Sequence, residues 1–280
     1  MAEYYKPDRS DPAYDLLTGR VGKIISGEAE TVVIDLHPPE HLAALVAHHL
    51  RTARRDLQPH VDYICGNLRA AKRDPQERYT NEHDPDPTKR GTDLNRAFKT
   101  VGAPTTYEQG RAKRLRPQLR SYKRVLDVHT STTDCGPNRR FILVARPDNT
   151  EVRNIIAASP IEDVIIMPPD IAEPSLIGQV PNSVSFEYNQ DFARTPEAMA
   201  EMMLVLDGLT TGIQHAPRTR RFYEVFEPIK REEDPGLGTP NFELCRDGYY
   251  PVLLGENSYR RNPAVAYVGF KARAPELIEL

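Results

Sequence analysis

Residues 31–55 read TVVIDLHPPEHLAALVAHHLRTARR. The first part, TVVIDL at 31–36, is a short β-branched, apolar run of the kind that forms a buried strand. From Glu40 to about Arg55 apolar residues recur at helical spacing. Pro38 and Pro39 stand where prolines start a helix rather than interrupt one. A strand passing into a helix through a few residues is the building unit of an α/β sheet.

The alternation continues along the chain. Strands are expected at 61–65, 124–128, 141–145, 163–167 and 183–187, and helices at 107–119, 151–158 and 197–209. Residues 69–91 are polar, rich in Pro, Asp and Lys, and read as a long loop. This order predicts a mostly parallel, mixed sheet flanked by helices on both faces. After about residue 214 the pattern changes to short strands at 222–226, 242–245, 250–254 and 264–270, with no helix between. Two units are therefore expected, an α/β domain over 1–214 and a small β-rich C-terminal subdomain over 215–280.

The 280 residues carry a net charge of −3, which supplies no basic field for nucleic acid or an anionic membrane. No apolar run approaches the ~18 residues of a transmembrane helix. The N-terminus, MAEYYKPDRSDPAYD, lacks a signal-peptide pattern, and the three cysteines are widely spaced. These features predict a cytoplasmic protein without a disulfide framework. Cys135, six residues after His129, is a candidate nucleophile, but metal-bound water is the better one implied here.

The chemistry concentrates in three places: HPPE at 37–40, DLNRAF at 93–98 and LDVHTSTTDCG at 126–136. His37 and Glu40 are three residues apart, and His129 follows 89 residues later (129 − 40). A catalytic zinc takes three protein ligands and leaves one position open. His37 and His129 both stand at strand ends, where α/β sheets bind ligands. Each follows an aspartate by two positions, Asp35 and Asp127, and residues two apart on a strand share a face. Each aspartate is thus placed to orient its histidine. His41, His48 and His49 read as ordinary helix histidines, and His60 and His83 as loop residues.

Asn95 and Arg96 form a candidate carboxylate clamp, a planar guanidinium fork beside an amide donor. Lys89 and Arg90, just upstream, are candidates to place a cation over the metal. Glu187 closes the apolar strand SVSFE and reads either as a general base or as a strand-edge glutamate. Tyr259, in GENSYRR, is a candidate hydrogen-bond donor to substrate. Together these residues point to a metal-dependent hydrolase acting on a small acid.

In this order the segments resemble the aspartoacylase/succinylglutamate desuccinylase family, a branch of the zinc carboxypeptidase-like fold. HPPE is similar to its HxxE, DLNRAF to its DLNRxF, and YEQGRAKRL at 107–115 to its YE-x-x-RA helix. LDVHTSTTDCG, SVSFE and YYPVLLGENSY resemble its DLHxTT, V-x-x-E and C-terminal YPV…NEAAY segments. The resemblance implies one zinc per chain, held by His37, Glu40 and His129. It implies Glu187 as general acid/base, Asn95 with Arg96 as the carboxylate clamp and Tyr259 as a substrate contact. It gives Arg90 the polarising role, with Lys89 competing.

The implied activity is hydrolysis of the linear amide of a small N-acyl amino acid. Alternatives are a zinc carboxypeptidase or amidase on a peptide-like substrate, and a metal-free, carboxylate-binding relative. A small acid is the expected partner, and the oligomeric state, a homo-oligomer included, stays open. Three departures stand out. The first ligand motif reads DLHPPE where the family has GTHGNE, Glu187 is followed by Tyr188-Asn189-Gln190 where the family's base motif continues E-V-G-P, and residues 168–185 contain no arginine where aspartoacylases place a second substrate-binding one.

Overall fold

A computed structural model describes residues 7–74, 77–131, 140–212, 219–236, 239–256, 259 and 265–280. Cys135 lies outside them. Eleven strands form one sheet: β1 (Lys23–Ile24), β2 (Thr31–Asp35), β3 (Val61–Cys65), β4 (Arg124–Ser131), β5 (Arg140–Val144), β6 (Asp163–Ile166), β7 (Ser183–Asn189), β8 (Thr219–Lys230), β9 (Tyr250–Val252), β10 (Tyr267–Ala272) and β11 (Glu276–Glu279). The helices are α1 (Tyr14–Leu17), α2 (Leu42–Thr52), α3 (Leu68–Arg73), α4 (Tyr107–Arg120), α5 (Thr150–Ala158), α6 (Pro169–Ala172), α7 (Leu176–Gln179) and α8 (Pro196–Thr211).

The strand order is β1-β3-β2-β4-β7-β5-β6-β8-β10-β9, with β11 also on β8. From β3 through β4 to β7 the pairs are parallel, as are β5/β6 and β6/β8; β5/β7 is antiparallel. β8 joins two environments. Its first half lies beside β6 and β11, and its second half pairs with β10. This is the α/β, mostly parallel mixed sheet that the alternation of elements predicts.

β2 shows why its sequence has no polar face. All five of its residues are buried. Val33 enters the core packed under α2, α5 and α8, whereas Val32 and Ile34 enter the core under α4 and α7. A strand covered on both faces carries apolar residues at successive positions, here 32–34, rather than in alternation. α8 has standard boundary chemistry: Thr195 caps its N-terminus through the Ala198 N–H at 3.3 Å, and Pro196 fills the first turn. Gly212 closes it in the left-handed region at φ +71°.

The placement of β2 and β4 fixes where a ligand can bind. From β2 the chain steps to β3 on one side and then returns to β4 on the other. The parallel carboxyl ends of β2 and β4 therefore flank a reversal of strand order, the place where open α/β sheets form a crevice.

Some elements differ from the sequence expectation. Within the expected loop 69–91 the structure has α3, capped by the Asn67 side chain accepting from Ala70 N–H at 3.3 Å. Ala70 and Ala71 bury its inner face. Residues 242–245 are not a strand. Phe242 has a φ of +65°, which breaks an extended ladder, although its N–H still reaches the Pro251 carbonyl at 2.9 Å. β11, not anticipated, is a short charged strand that adds to β8.

The α6–α7 turn is tight. A Cβ on Gly178 would lie 2.1 Å from the Ala172 carbonyl oxygen, a backbone atom that cannot swing aside. Gly178→Ala is expected to cost about 1–3 kcal/mol by overpacking, seen as a lower urea midpoint. An unchanged midpoint would contradict this close approach.

Candidate metal centre

The three expected ligands come together. His37 follows the end of β2, and the turn to Glu40 closes through the Glu40 N–H donating to the His37 carbonyl at 2.9 Å. Pro38 and Pro39 occupy its central positions, where no backbone N–H is needed, so DLHPPE makes a compact turn without glycine. His129 lies on β4. Its Nδ1 is 3.2 Å from His37 Nδ1 and 2.7 Å from Glu40 Oε2, and His37 Nδ1 is 3.0 Å from Glu40 Oε1. All three side chains are buried.

The outer nitrogens decide the chemistry. His129 Nε2 donates to Asp127 Oδ2 at 2.8 Å, as its position two residues earlier on the strand predicts. His37 Nε2 instead donates to Asp93 Oδ1 at 2.9 Å, while Asp35 accepts only from the His37 backbone N–H at 3.1 Å. Asp93 opens the DLNR segment and also caps its 3-10 turn through the Asn95 N–H at 2.9 Å. With both Nε2 atoms committed to carboxylates, the tautomers follow, and both Nδ1 atoms turn inward with Glu40.

Electron-rich atoms this close need positive charge between them. A tetrahedral zinc with bonds of about 2.0–2.1 Å spaces its ligand atoms roughly 3.3–3.4 Å apart. The observed spacings of 2.7–3.2 Å lie just inside that, so the donor set fits the ion with small adjustment. Arg78 brings positive charge to the cluster from the protein itself. Arg78 Nη1 donates to Glu40 Oε1 at 2.7 Å, and Nη2 lies 3.1 Å from His37 Nδ1.

The titration behaviour has the same origin. Burial opposes the charge on Glu40, but His37, Arg78 and His129 outweigh it and hold Glu40 well below the usual carboxylate range. For His129 burial is likewise outweighed, here by Asp127, Glu40 and Glu187, which raise its pKa well above normal. Glu187 goes the other way. Burial pushes it up to about 8, eased by His129 and reinforced by Glu40, Glu256 and Asp127.

The β4/β7 register sets Glu187 directly beside His129, on the wall of the same cavity. Asn95, Arg96 and Tyr259 also line this cavity, which measures about 80 Å³. Asn95 Oδ1 accepts from the Leu176 N–H at 3.0 Å. Arg96 is exposed at the mouth, its guanidinium carbon 5.8 Å from the Tyr259 ring centre. Arg90 is not brought in. Its side chain is exposed and donates to the Asp84 carbonyl at 2.6 Å, and Lys89 pairs with Asp86 at 3.4 Å.

The cation inside the cavity is Arg78, which the sequence reading missed. It stands in the 69–91 segment among other lysines and arginines, and nothing local distinguishes it. What selects it is Glu108, buried on α4, whose carboxylate accepts from Thr80 N–H at 2.8 Å and Thr92 N–H at 3.3 Å. One carboxylate thus clips both ends of the loop carrying Arg78 and Asp93. Further polar residues of the cavity carry no local signal in the sequence: Glu256, Ser175, and Thr130 and Ser185, whose buried hydroxyls have no hydrogen-bond partner among the described residues.

The sequence matches no protein-family model and no curated protein. The three-dimensional structure does find relatives. Murine aminoacylase 3 superposes with a TM-score of 0.62 at 16% identity, over 90% of this chain and 97% of that one. A succinylglutamate desuccinylase from Vibrio parahaemolyticus gives 0.63 at 13%, over 91% and 87%. A succinylglutamate desuccinylase/aspartoacylase from Rhodobacter sphaeroides gives 0.51 at 16%, over 91% and 81%. The chain shares the aspartoacylase/succinylglutamate desuccinylase fold. At such identities the likeness is one of fold, so the part each side chain plays rests on the geometry just described.

Asp127→Asn is expected to weaken zinc binding about 10–100-fold by loosening the His129 tautomer. A chelator competition titration measures this. Zinc affinity of the unsubstituted protein is expected to rise with pH, because the metal displaces protons from the imidazoles. Equal affinity in the variant would contradict the inward-facing Nδ1 assignment.

Proposed function

We propose that this protein is a zinc-dependent amidohydrolase that cleaves the linear amide of a small N-acyl amino acid. The observation that carries the reading is the inward convergence of His37 Nδ1, His129 Nδ1 and Glu40, with Glu187 alongside on the same cavity wall. The shared fold of aminoacylase 3 and succinylglutamate desuccinylase supports it.

His37, Glu40 and His129 would hold the ion. A bound zinc supplies Lewis acidity, lowering the pKa of water and polarising a carbonyl. Glu187 accepts a proton from the attacking water as the new C–O bond forms. It then passes that proton to the amide nitrogen as the C–N bond breaks, so a single carboxyl group serves as base and then acid. Arg78 takes the polarising role that the resemblance implies for Arg90 or Lys89. Its guanidinium lies against the ligand cluster, and its N–H groups are placed to stabilise negative charge developing on the carbonyl oxygen.

Asn95 and Arg96 hold the substrate carboxylate at the mouth. The Asn95–Leu176 hydrogen bond fixes the amide, and the Tyr259 ring supports the guanidinium. A clamp for one carboxylate beside a single reaction centre favours small acids over protein chains.

Zinc-loaded protein is expected to hydrolyse one or more members of a panel of N-acetyl and N-succinyl amino acids faster than short peptides. Glu187→Gln is expected to lose at least about 100-fold in kcat while still binding one zinc per chain. Undiminished turnover in that variant would remove Glu187 from the mechanism.

A further inference from the structure

The wall next to the carboxylate clamp is apolar. Asn95 is tied to α7 through the Leu176 N–H at 3.0 Å, so the α6–α7 segment begins where the clamp ends. From that segment and its neighbours, Met167, Ile171, Ala172, Ile177, Leu143 and Leu253 line the cavity, together with Ser175, whose hydroxyl donates to the Ala172 carbonyl at 2.6 Å. Across the whole stretch 154–193 the sequence has no lysine, arginine or histidine. β7 adds no cation either: its contributions are the Ser185 hydroxyl and, two residues on along the same face, the Glu187 carboxyl.

The charges elsewhere in the cavity sharpen the point. Among the described residues its cationic side chains are Arg78 and Arg96. Arg78 lies against Glu40 and His37 at the reaction centre, and Arg96 belongs to the clamp. Glu187 and Glu256 line the same space, and neither offers a further anion a positive partner. A second carboxylate on the substrate would therefore meet methylene groups and carboxyl groups rather than a cation. Burying an ionised carboxylate without a partner is strongly unfavourable, whereas an aliphatic group of the same shape gains from leaving water.

Resting on the amidohydrolase reading above, we propose that the substrate is an N-acyl monocarboxylic amino acid with an uncharged, aliphatic side chain. That side chain lies against Ile171 and Ile177, with its α-carboxylate held by Asn95 and Arg96. The site would thus select against N-acyl aspartate and glutamate.

N-acetyl-L-leucine and N-acetyl-L-aspartate test this directly, because their side chains branch at the same carbon and differ in charge. Two measurements apply: kcat/KM of the zinc-loaded protein, and calorimetric binding of both compounds to zinc-loaded Glu187→Gln. Leucine is expected to be favoured at least about 30-fold in both. Ile171→Arg, at a partly exposed position, is expected to narrow the ratio at least about tenfold by improving the aspartate compound. Equal or better handling of the aspartate compound would overturn the apolar pocket and leave the hydrolase reading intact. Preferential binding of the leucine compound without any turnover would do the reverse. Binding of neither compound would overturn the pocket.

Discussion

Three electron-rich side chains, two from one turn and one from a distant strand, are pressed to within 2.7–3.2 Å of each other, and the rest of this sheet edge serves that arrangement. Alone, two imidazole lone pairs and a carboxylate repel. They stay together because each is held from behind: His37 by Asp93, His129 by Asp127, and Glu40 by the Thr130 N–H and Arg78. Buried ionisable groups persist only where partners satisfy them. A cluster so supported, with its free electron pairs pointing inward, is organised around positive charge.

The sheet provides the position and the loop provides the charge. β2 and β4 deliver the ligands to a reversal in strand order, where their carboxyl ends open into a crevice. The 78–93 segment crosses that crevice carrying Arg78 and Asp93, one donating to Glu40 and the other orienting His37. Glu108 holds it from α4 although it has no part in the cavity lining. Loss of Glu108 would free both ends of the segment at once, so a residue outside the site controls two within it.

The cavity lining is of two kinds. One part carries the histidines, Glu40, Arg78 and Glu187; the other is mostly methyl and methylene groups from α6, α7 and their neighbours, with the hydroxyls of Ser175 and Ser185. In the reading given above, the polar wall performs the chemistry common to amide hydrolysis. The apolar wall chooses which amino acid is presented to it, since charge discriminates more sharply than size.

The strands and long helices were legible because their patterns are strong. β2 and β3 are buried throughout and mainly apolar, and α4, α5 and α8 combine helical spacing with caps. HPPE, DLNR and DVH were legible as ligands and clamp because each joins a reactive residue type to a strand end or turn. Asp127 could be assigned because residues two apart on a strand must share a face. Asp35 failed by the same rule, since His37 lies beyond the end of β2, where that geometry lapses. Choosing Arg78 over Arg90, or Asp93 over Asp35, needed contacts from Glu108 and the loop path that are far apart in sequence. The sequence by itself determined the alternating α/β order and the residue types able to bind a metal, because local periodicity and side-chain chemistry are properties of short segments. Only the tertiary structure decided which cation enters the cavity, which carboxylate orients His37 and which wall is apolar, because these depend on chain segments meeting across the sheet.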